Sequence, residues 1–113
     1  MRYPSRGEVW LIDLGMTAKV RPCLIVNRRI EDTDRAIVTL IPHTTSVRNT
    51  AYEAAVRTQF LKQGAFDAQG IVTVPVNRAI RALGSLTTEQ LRVVEITICR
   101  WLELPCAGDI AKT

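Results

Sequence analysis

Short apolar runs rich in β-branched residues, separated by polar or glycine- and proline-containing segments, occupy the first three quarters of the chain. This pattern predicts strands at 8–13, 22–28 and 35–41, with shorter ones at 52–57, 71–75 and 82–86. Segment 58–70 contains glycine and is predicted to be an irregular connection, with one helical turn at 59–62.

One helix is predicted near the end of the chain. Thr87 and Gln90 have the spacing of a capping box, and apolar residues follow at helical intervals, namely Leu91, Val94, Ile98 and Trp101. Pro105 is expected to end the helix, leaving a frayed tail at 105–113.

Several short strands followed by one amphipathic helix predict a mostly β fold with a C-terminal α-helix. The expected form is a small, twisted antiparallel sheet or half-open barrel, and the length predicts a single domain spanning 1–113. Apolar residues on both faces of the first three strands exceed what one helix can cover, so we expect a homodimer.

The candidate chemistry starts at Arg21, which precedes Pro22 at the predicted entrance of the second strand. Because proline cannot donate a ladder hydrogen bond, Pro22 is expected at the first position of that strand. If the second and third strands are antiparallel, Arg21 shares one rim of the sheet with the polar segment 43–46. A guanidinium there could present a rigid fork of donors to a phosphate, and no metal or cofactor motif competes with it.

Composition and charge strengthen the case for a phosphate-containing partner. The formal net charge is +4 and the pI is about 9.3, and twelve of the fifteen cationic residues are arginine. The alternative is a basic surface without a particular partner. The three cysteines (Cys23, Cys99 and Cys106) lack C-x-x-C spacing, which indicates neither a disulfide framework nor a zinc site and favours a reduced cytoplasm. No signal peptide or membrane span is recognisable.

Three segments together resemble the MazF/PemK family of toxins: Arg-Gly-Glu-Val-Trp-Leu-Ile-Asp-Leu at 6–14, Arg-Pro-Cys-Leu-Ile-Val at 21–26, and Pro-His-Thr-Thr-Ser at 42–46. The resemblance implies an SH3-like barrel of the CcdB/PemK type that forms a homodimer. It also implies the toxin of a type II toxin–antitoxin pair, a sequence-selective endoribonuclease that cleaves single-stranded RNA without metal or cofactor. A cognate acidic antitoxin would neutralise it in the cytoplasm.

The resemblance also assigns roles to individual residues. Arg21 and Thr44 match the catalytic arginine and threonine of the family, and the expected products carry 2′,3′-cyclic phosphate and 5′-hydroxyl ends. Further catalytic or substrate-binding candidates are His43, Thr45 and Ser46, and the substrate-binding candidates are Lys19 and Arg48.

Each assignment has a structural alternative. Arg21 could be a rim arginine paired with a carboxylate such as Glu8 or Asp13, and Thr44 could be a turn hydroxyl bonded to its own backbone. A lone histidine such as His43 is more often structural. The tryptophans, Trp10 and Trp101, are predicted to be core residues rather than platforms for bases. The rival function is a non-catalytic barrel, either a CcdB-like toxin that binds gyrase or a nucleic-acid-binding module.

Overall fold

The computed structural model describes residues 3–15 and 19–106. Within them, short 3-10 turns occur at Ala68–Gly70 and Val76–Arg78. The strands are β1 (Glu8–Asp13), β2 (Val20–Ile25), β3 (Ile37–Thr44), β4 (Glu53–Ala54), β5 (Ala65–Asp67), β6 (Val72–Pro75) and β7 (Ala79–Ser85), and the helix is α1 (Thr88–Leu102).

The strands form one antiparallel sheet with the order β4-β5-β3-β2-β1-β7, and β6 also pairs with β3. The first half of β3 pairs with β6 and its last two residues pair with β5, while its other edge pairs with β2. This change of partner bends the sheet around β3 without closing it. The predicted mostly β class with a C-terminal helix and an open, barrel-like sheet is confirmed.

Apolar side chains are buried on both faces of the sheet because neighbouring residues in a strand point to opposite sides. One cluster packs beneath α1 and includes Val9, Leu24, Ile41, Phe66 and Val94. The second cluster, on the other face, includes Ile12, Cys23, Ile25, Val38, Leu40 and Val76. Part of the second face is therefore covered within the chain, by β6 and the turn that follows it.

The helix begins as the sequence predicts. Gln90 N–H donates to Thr87 Oγ1 at 3.1 Å, and Thr87 N–H donates back to Gln90 Oε1 at 2.9 Å. The apolar stripe packs on the first cluster through Leu91, Val94 and Ile98. Trp101 continues the stripe but is 40% exposed, so its prediction as a core residue is wrong. Trp10 is half-buried against the second cluster.

Several predicted boundaries differ from the structure: β3 spans Ile37–Thr44 rather than 35–41, and β7 spans Ala79–Ser85 rather than 82–86. β2 begins at Val20, so Pro22 is its third residue rather than its first. Proline fits there because β2 pairs with β1 from Val20 onward but with β3 only from Cys23. Segment 58–70 contains a turn at 59–60 instead of a helical turn, and its second half forms β5 and the 3-10 turn Ala68–Gly70. The weak strand predicted at 52–57 is the two-residue β4.

The cysteines also correct a prediction. Cys99 and Cys106 form a disulfide with their Cα atoms 6.1 Å apart. The seven-residue separation gave no signal for it; the pairing arises because Glu103, with φ of 53°, ends α1 and turns the chain back. Cys23 is a free, buried cysteine, and burial raises its pKa to about 12.

One expectation falls largely outside the described residues, namely the frayed tail predicted at 105–113, of which only 105 and 106 are described. Among the described residues no helix is long and apolar enough to cross a membrane.

Candidate active site

Arg21 and Thr44 lie at the same edge of the sheet. Cys23 pairs with Pro42 in the antiparallel β2–β3 ladder, and each chain runs two residues further toward that edge to reach Arg21 and Thr44. Residues two apart in a strand share a face, so both side chains lie on the face of Cys23 and Pro42. Arg21 is exposed and Thr44 is half-buried.

Within the described part of the chain, the hydroxyl of Thr44 has one hydrogen-bond partner. Ser46 N–H donates to Thr44 Oγ1 at 3.0 Å, which fixes the turn that ends β3. This is the backbone bond expected of a turn hydroxyl, but it uses only an acceptor lone pair. Because a hydroxyl also carries one donor hydrogen, Thr44 can still donate to a bound anion.

Arg21 and Thr44 share a groove of about 780 Å³. We call it the Thr44 groove. Its polar and charged lining includes Ser46, Arg48, Thr50, Glu53, Asp67 and Gln69, and Trp101 lies on its wall. The groove therefore combines two guanidinium groups, two carboxylates and several hydroxyl or amide donors.

Glu53 organises the loop that carries Arg48 into this groove. Its carboxylate accepts hydrogen bonds from Thr50 N–H at 2.8 Å and from Arg48 N–H at 3.0 Å. These two bonds hold the pKa of Glu53 below its ordinary value of 4.5, and the bond from Thr50 has the larger effect. Glu53 therefore acts on the site by fixing backbone, including Asn49 with its φ of 60°.

His43 points to the opposite face. It is 4% exposed, and its ring contacts Phe66 edge to face at a centroid distance of 5.1 Å. Burial lowers its pKa from the ordinary 6.5, because the charged imidazolium loses hydration. Its Nε2 is buried and has no hydrogen-bond partner among the described residues.

A second groove, of about 400 Å³, meets the first at Arg21. We call it the His43 groove. Its apolar lining includes Leu11, Pro22, Phe60, Leu61 and Leu83, and its polar lining consists of Arg21, His43, Thr45, Lys62 and Arg81. The described residues that line it thus include three cationic side chains and no carboxylate.

Gly64 fixes the positions of residues from both grooves. A Cβ atom built there would overlap the carbonyl oxygen of Thr44 and would lie 2.8 Å from Cε1 of His43. Only glycine lets the chain approach so closely before it enters β5, where Ala65 pairs with Thr44. The sequence showed this glycine only as part of an irregular segment.

The predicted residues are thus divided among different places. Ser46 and Arg48 line the Thr44 groove, whereas His43 and Thr45 line the other. Lys19 is exposed at the end of the β1–β2 connection and lines neither groove. No three metal-ligating side chains of His, Cys, Asp or Glu cluster among the described residues.

Sequence reasoning missed Lys62, Arg81 and the exposure of Trp101. Nothing local in the sequence marks Lys62 or Arg81, since they reach the site through a loop and an edge strand that are distant along the chain. Trp101 was hidden by its place in the helical stripe.

Comparison with known proteins places this geometry in a family. The profile of PemK-like, MazF-like toxins of type II toxin–antitoxin systems matches residues 5–102. A mycobacterial endoribonuclease in complex with its cognate antitoxin has a similar structure, with a TM-score of 0.79, 26% sequence identity and coverage of 91% of this chain and 98% of that one.

Two further solved structures are similar. The Mycobacterium tuberculosis toxin MazF-mt6 superposes with a TM-score of 0.75 and 28% identity, covering 88% of this chain and 99% of its own. A MazE–MazF structure from Deinococcus radiodurans has a TM-score of 0.77 and 16% sequence identity, covering 93% of this chain and 100% of its own. At this identity the similarity is one of fold. No curated protein sequence is significantly similar to this chain.

Proposed function

The chain belongs to the family of PemK-like, MazF-like toxins of type II toxin–antitoxin systems, and from that premise we propose that it cleaves single-stranded RNA at the edge where Arg21 meets Thr44. The toxin endoribonuclease function follows from the family and from the endoribonucleases that share its fold. The roles of individual residues are the proposal. The observation that carries it is the register of β2 and β3, which brings a guanidinium and a hydroxyl to one face of one groove.

The proposed reaction is an intramolecular transesterification. The 2′-oxygen of a ribose attacks the adjacent phosphorus, and the bond from phosphorus to the 5′-oxygen of the next nucleotide breaks. The 2′-hydroxyl gives up its proton, and the departing 5′-oxygen gains one. The products are a 2′,3′-cyclic phosphate and a 5′-hydroxyl, and no metal enters the scheme.

Arg21 and Thr44 act on the charge that develops in this reaction. The phosphorane carries more negative charge on its equatorial oxygens than the ground-state phosphate does. A guanidinium can donate two parallel hydrogen bonds to those oxygens, and the free hydrogen of Thr44 adds a third donor. A guanidinium remains protonated and is a poor base, so Arg21 is assigned to charge stabilisation rather than proton transfer.

The assembly around this site is part of the proposal. Exposed apolar residues at strand positions (Val20, Ile37, Val72 and Ile80) support a homodimer, since a second copy could cover them. The net charge of +4 supports an acidic antitoxin, and the similar mycobacterial endoribonuclease is bound to its cognate antitoxin. We propose that it acts on RNA in the cytoplasm.

The test is cleavage of a mixed-sequence RNA by purified protein in excess EDTA, with both new ends analysed. We expect fragments with 5′-hydroxyl ends that polynucleotide kinase labels without prior phosphatase treatment, and 2′,3′-cyclic phosphate on the other side. RNA with 2′-deoxyribose at the cleaved position should remain intact. Binding without cleavage would support the non-catalytic alternative, and cleavage of the 2′-deoxy RNA would exclude the transesterification.

A further inference from the structure

Trp101 lies on the wall of the Thr44 groove with 40% of its surface exposed. It occupies the last turn of α1, beyond the point where the helix covers the first apolar cluster. A large aromatic side chain that stays in contact with water forgoes the stabilisation that burial would give. Its exposure in a polar groove therefore favours a role in contacting a ligand.

The indole is held in place from two sides. The ring of Tyr52 packs against it edge to face, with centroids 5.3 Å apart and planes inclined by 61°. The helix end beneath it is capped by Glu103, whose N–H donates to the carbonyls of Arg100 and Cys99. The Cys99–Cys106 disulfide anchors the chain that follows. The aromatic surface is therefore carried on a rigid element.

The same groove offers positive charge for a nucleic-acid backbone. Arg21 and Arg48 line it together with Trp101. Glu53 and Asp67 balance the two charges formally, but guanidinium groups beside an accessible aromatic side chain are still an arrangement with which proteins bind single-stranded nucleic acid, because phosphates contact the cations while unstacked bases stack on the ring.

We infer that Trp101, supported by Tyr52, is a base-stacking residue that binds one unpaired RNA base beside the nucleotide held at Arg21 and Thr44. The inference rests on the proposed function and deepens it by naming a contact to a base. Trp101 does not act on the reacting atoms. Its contribution is to affinity and to the position of the strand, so its loss should raise KM more than it lowers kcat.

Binding measurements test the inference directly. The probe is a 20-nucleotide unstructured RNA containing a site that the wild type cleaves, with 2′-deoxyribose at that site so that it stays intact. Trp101→Leu should weaken binding by roughly ten-fold or more, because the stacking surface is lost while apolar bulk remains. Trp101→Phe should bind the RNA more tightly than Trp101→Leu does, because a smaller aromatic ring remains. Leu102→Ala is the matched control, since Leu102 is 43% exposed on the same turn and does not line the groove.

Fluorescence provides a readout that a merely structural role would not change. In Trp10→Phe, Trp101 is the only tryptophan, and stacking of a base on it should quench its emission as RNA is added. In Trp101→Phe only Trp10 remains, and RNA should leave its emission unchanged. Quenching in the first protein and not in the second supports the inference even if Trp101→Leu folds poorly.

The outcomes separate this inference from the proposed function. If the wild type cleaves RNA while Trp101→Leu binds it equally tightly and the Trp10→Phe protein shows no quenching, the stacking role is overturned and the active site stands. If the wild type binds all-ribose RNA of mixed sequence but cuts none, the proposed reaction fails, and the same variants decide stacking from binding alone. If it neither binds nor cuts, both fail.

Discussion

The two grooves that meet at Arg21 differ in charge and in chemistry. Among the residues that the structure describes, the His43 groove has three cationic side chains and no carboxylate, whereas the Thr44 groove has two guanidinium groups beside Glu53 and Asp67. Charge alone would therefore assign the active site to the His43 groove. The register of the sheet, however, gives the Thr44 groove a hydroxyl on the same face as the guanidinium.

This difference separates holding an RNA strand from reacting with it. Cationic side chains attract every phosphate and hold the backbone, but they do not select one phosphorus for attack. A reaction centre needs donors fixed around one position, and carboxylates such as Glu53 fix the backbone that presents them. We therefore interpret the His43 groove as the surface along which the strand continues and the Thr44 groove as the reaction centre.

The largest effect is expected at Arg21, the residue that both grooves share. Arg21→Ala should lower cleavage by on the order of a hundred-fold or more, because the phosphorane loses its charged donor. The fold should remain intact because an exposed side chain fills no core. Single-turnover rates at saturating RNA, with thermal unfolding as the control, measure this. Full activity in Arg21→Ala would show that this edge is not the active site.

Gly64 should come next, because it contacts residues from both grooves. In Gly64→Ala the new methyl group collides with the Thr44 carbonyl and the His43 ring, which should cost roughly 1–3 kcal/mol of unfolding free energy. Displacing Thr44 should also lower the single-turnover rate, by up to roughly a hundred-fold. Gln63→Ala is the control, as Gln63 is the exposed preceding residue. Unchanged stability would contradict the close packing.

The two threonines distinguish the grooves directly. Thr44→Ala should reduce cleavage by roughly ten-fold, since a neutral donor contributes less than a charged fork. Thr44→Ser keeps the hydroxyl and should retain most activity. Thr45→Ala, one residue later and in the His43 groove, should have little effect on the rate at saturating RNA. If Thr45→Ala lowered the cleavage rate more than Thr44→Ala does, the reaction centre would be in the His43 groove instead.

How much of this the sequence predicts depends on the range of the contacts. The apolar patterns of β1 to β3 and the capping box of α1 are local, and they gave these elements with small shifts in their ends. The juxtaposition of Arg21 with 43–46 followed from one assumed antiparallel pair. Gly64, Lys62 and Arg81 act through tertiary contacts that no local pattern records. Trp101 was assigned to the core because helical periodicity cannot show where the surface beneath a helix ends.

A smaller effect is expected for the cations of the His43 groove. Lys62→Ala and Arg81→Ala should raise KM several-fold and leave kcat nearly unchanged if they contact only the backbone. Each should reduce the slope of log affinity against log salt by about 0.7, the value for one phosphate contact to a single strand. Arg29→Ala is a control, because Arg29 is exposed and lines neither groove. A fall in kcat alone would indicate a part in the chemistry.

The smallest effect is expected in the dependence of stability on pH. His43 and Glu53, one from each groove, should affect stability in different pH ranges. The pKa of His43 is lowered from 6.5 by burial, so below about pH 6.5 the unfolded chain binds a proton that the folded chain resists. Stability should be complete above that pH and decline as the pH falls toward the lower, folded value. The pKa of Glu53 is also lowered, but its contribution to stability is complete above pH 4.5 and declines only below that pH.

Thermal unfolding between pH 3 and 8 can resolve the two windows with one variant for each groove. His43→Gln should flatten the decline that begins near 6.5, and Glu53→Gln should flatten the one that begins near 4.5 while keeping an oxygen that can accept from Thr50. The slopes are compared, because either substitution also shifts the absolute melting temperature.

If His43 were the base of the reaction, the acid limb of the cleavage profile would lie below 6.5, since burial lowers its pKa, and would disappear in His43→Gln. A limb that persists in that variant would assign proton transfer to another group and leave His43 as a packing residue against Phe66.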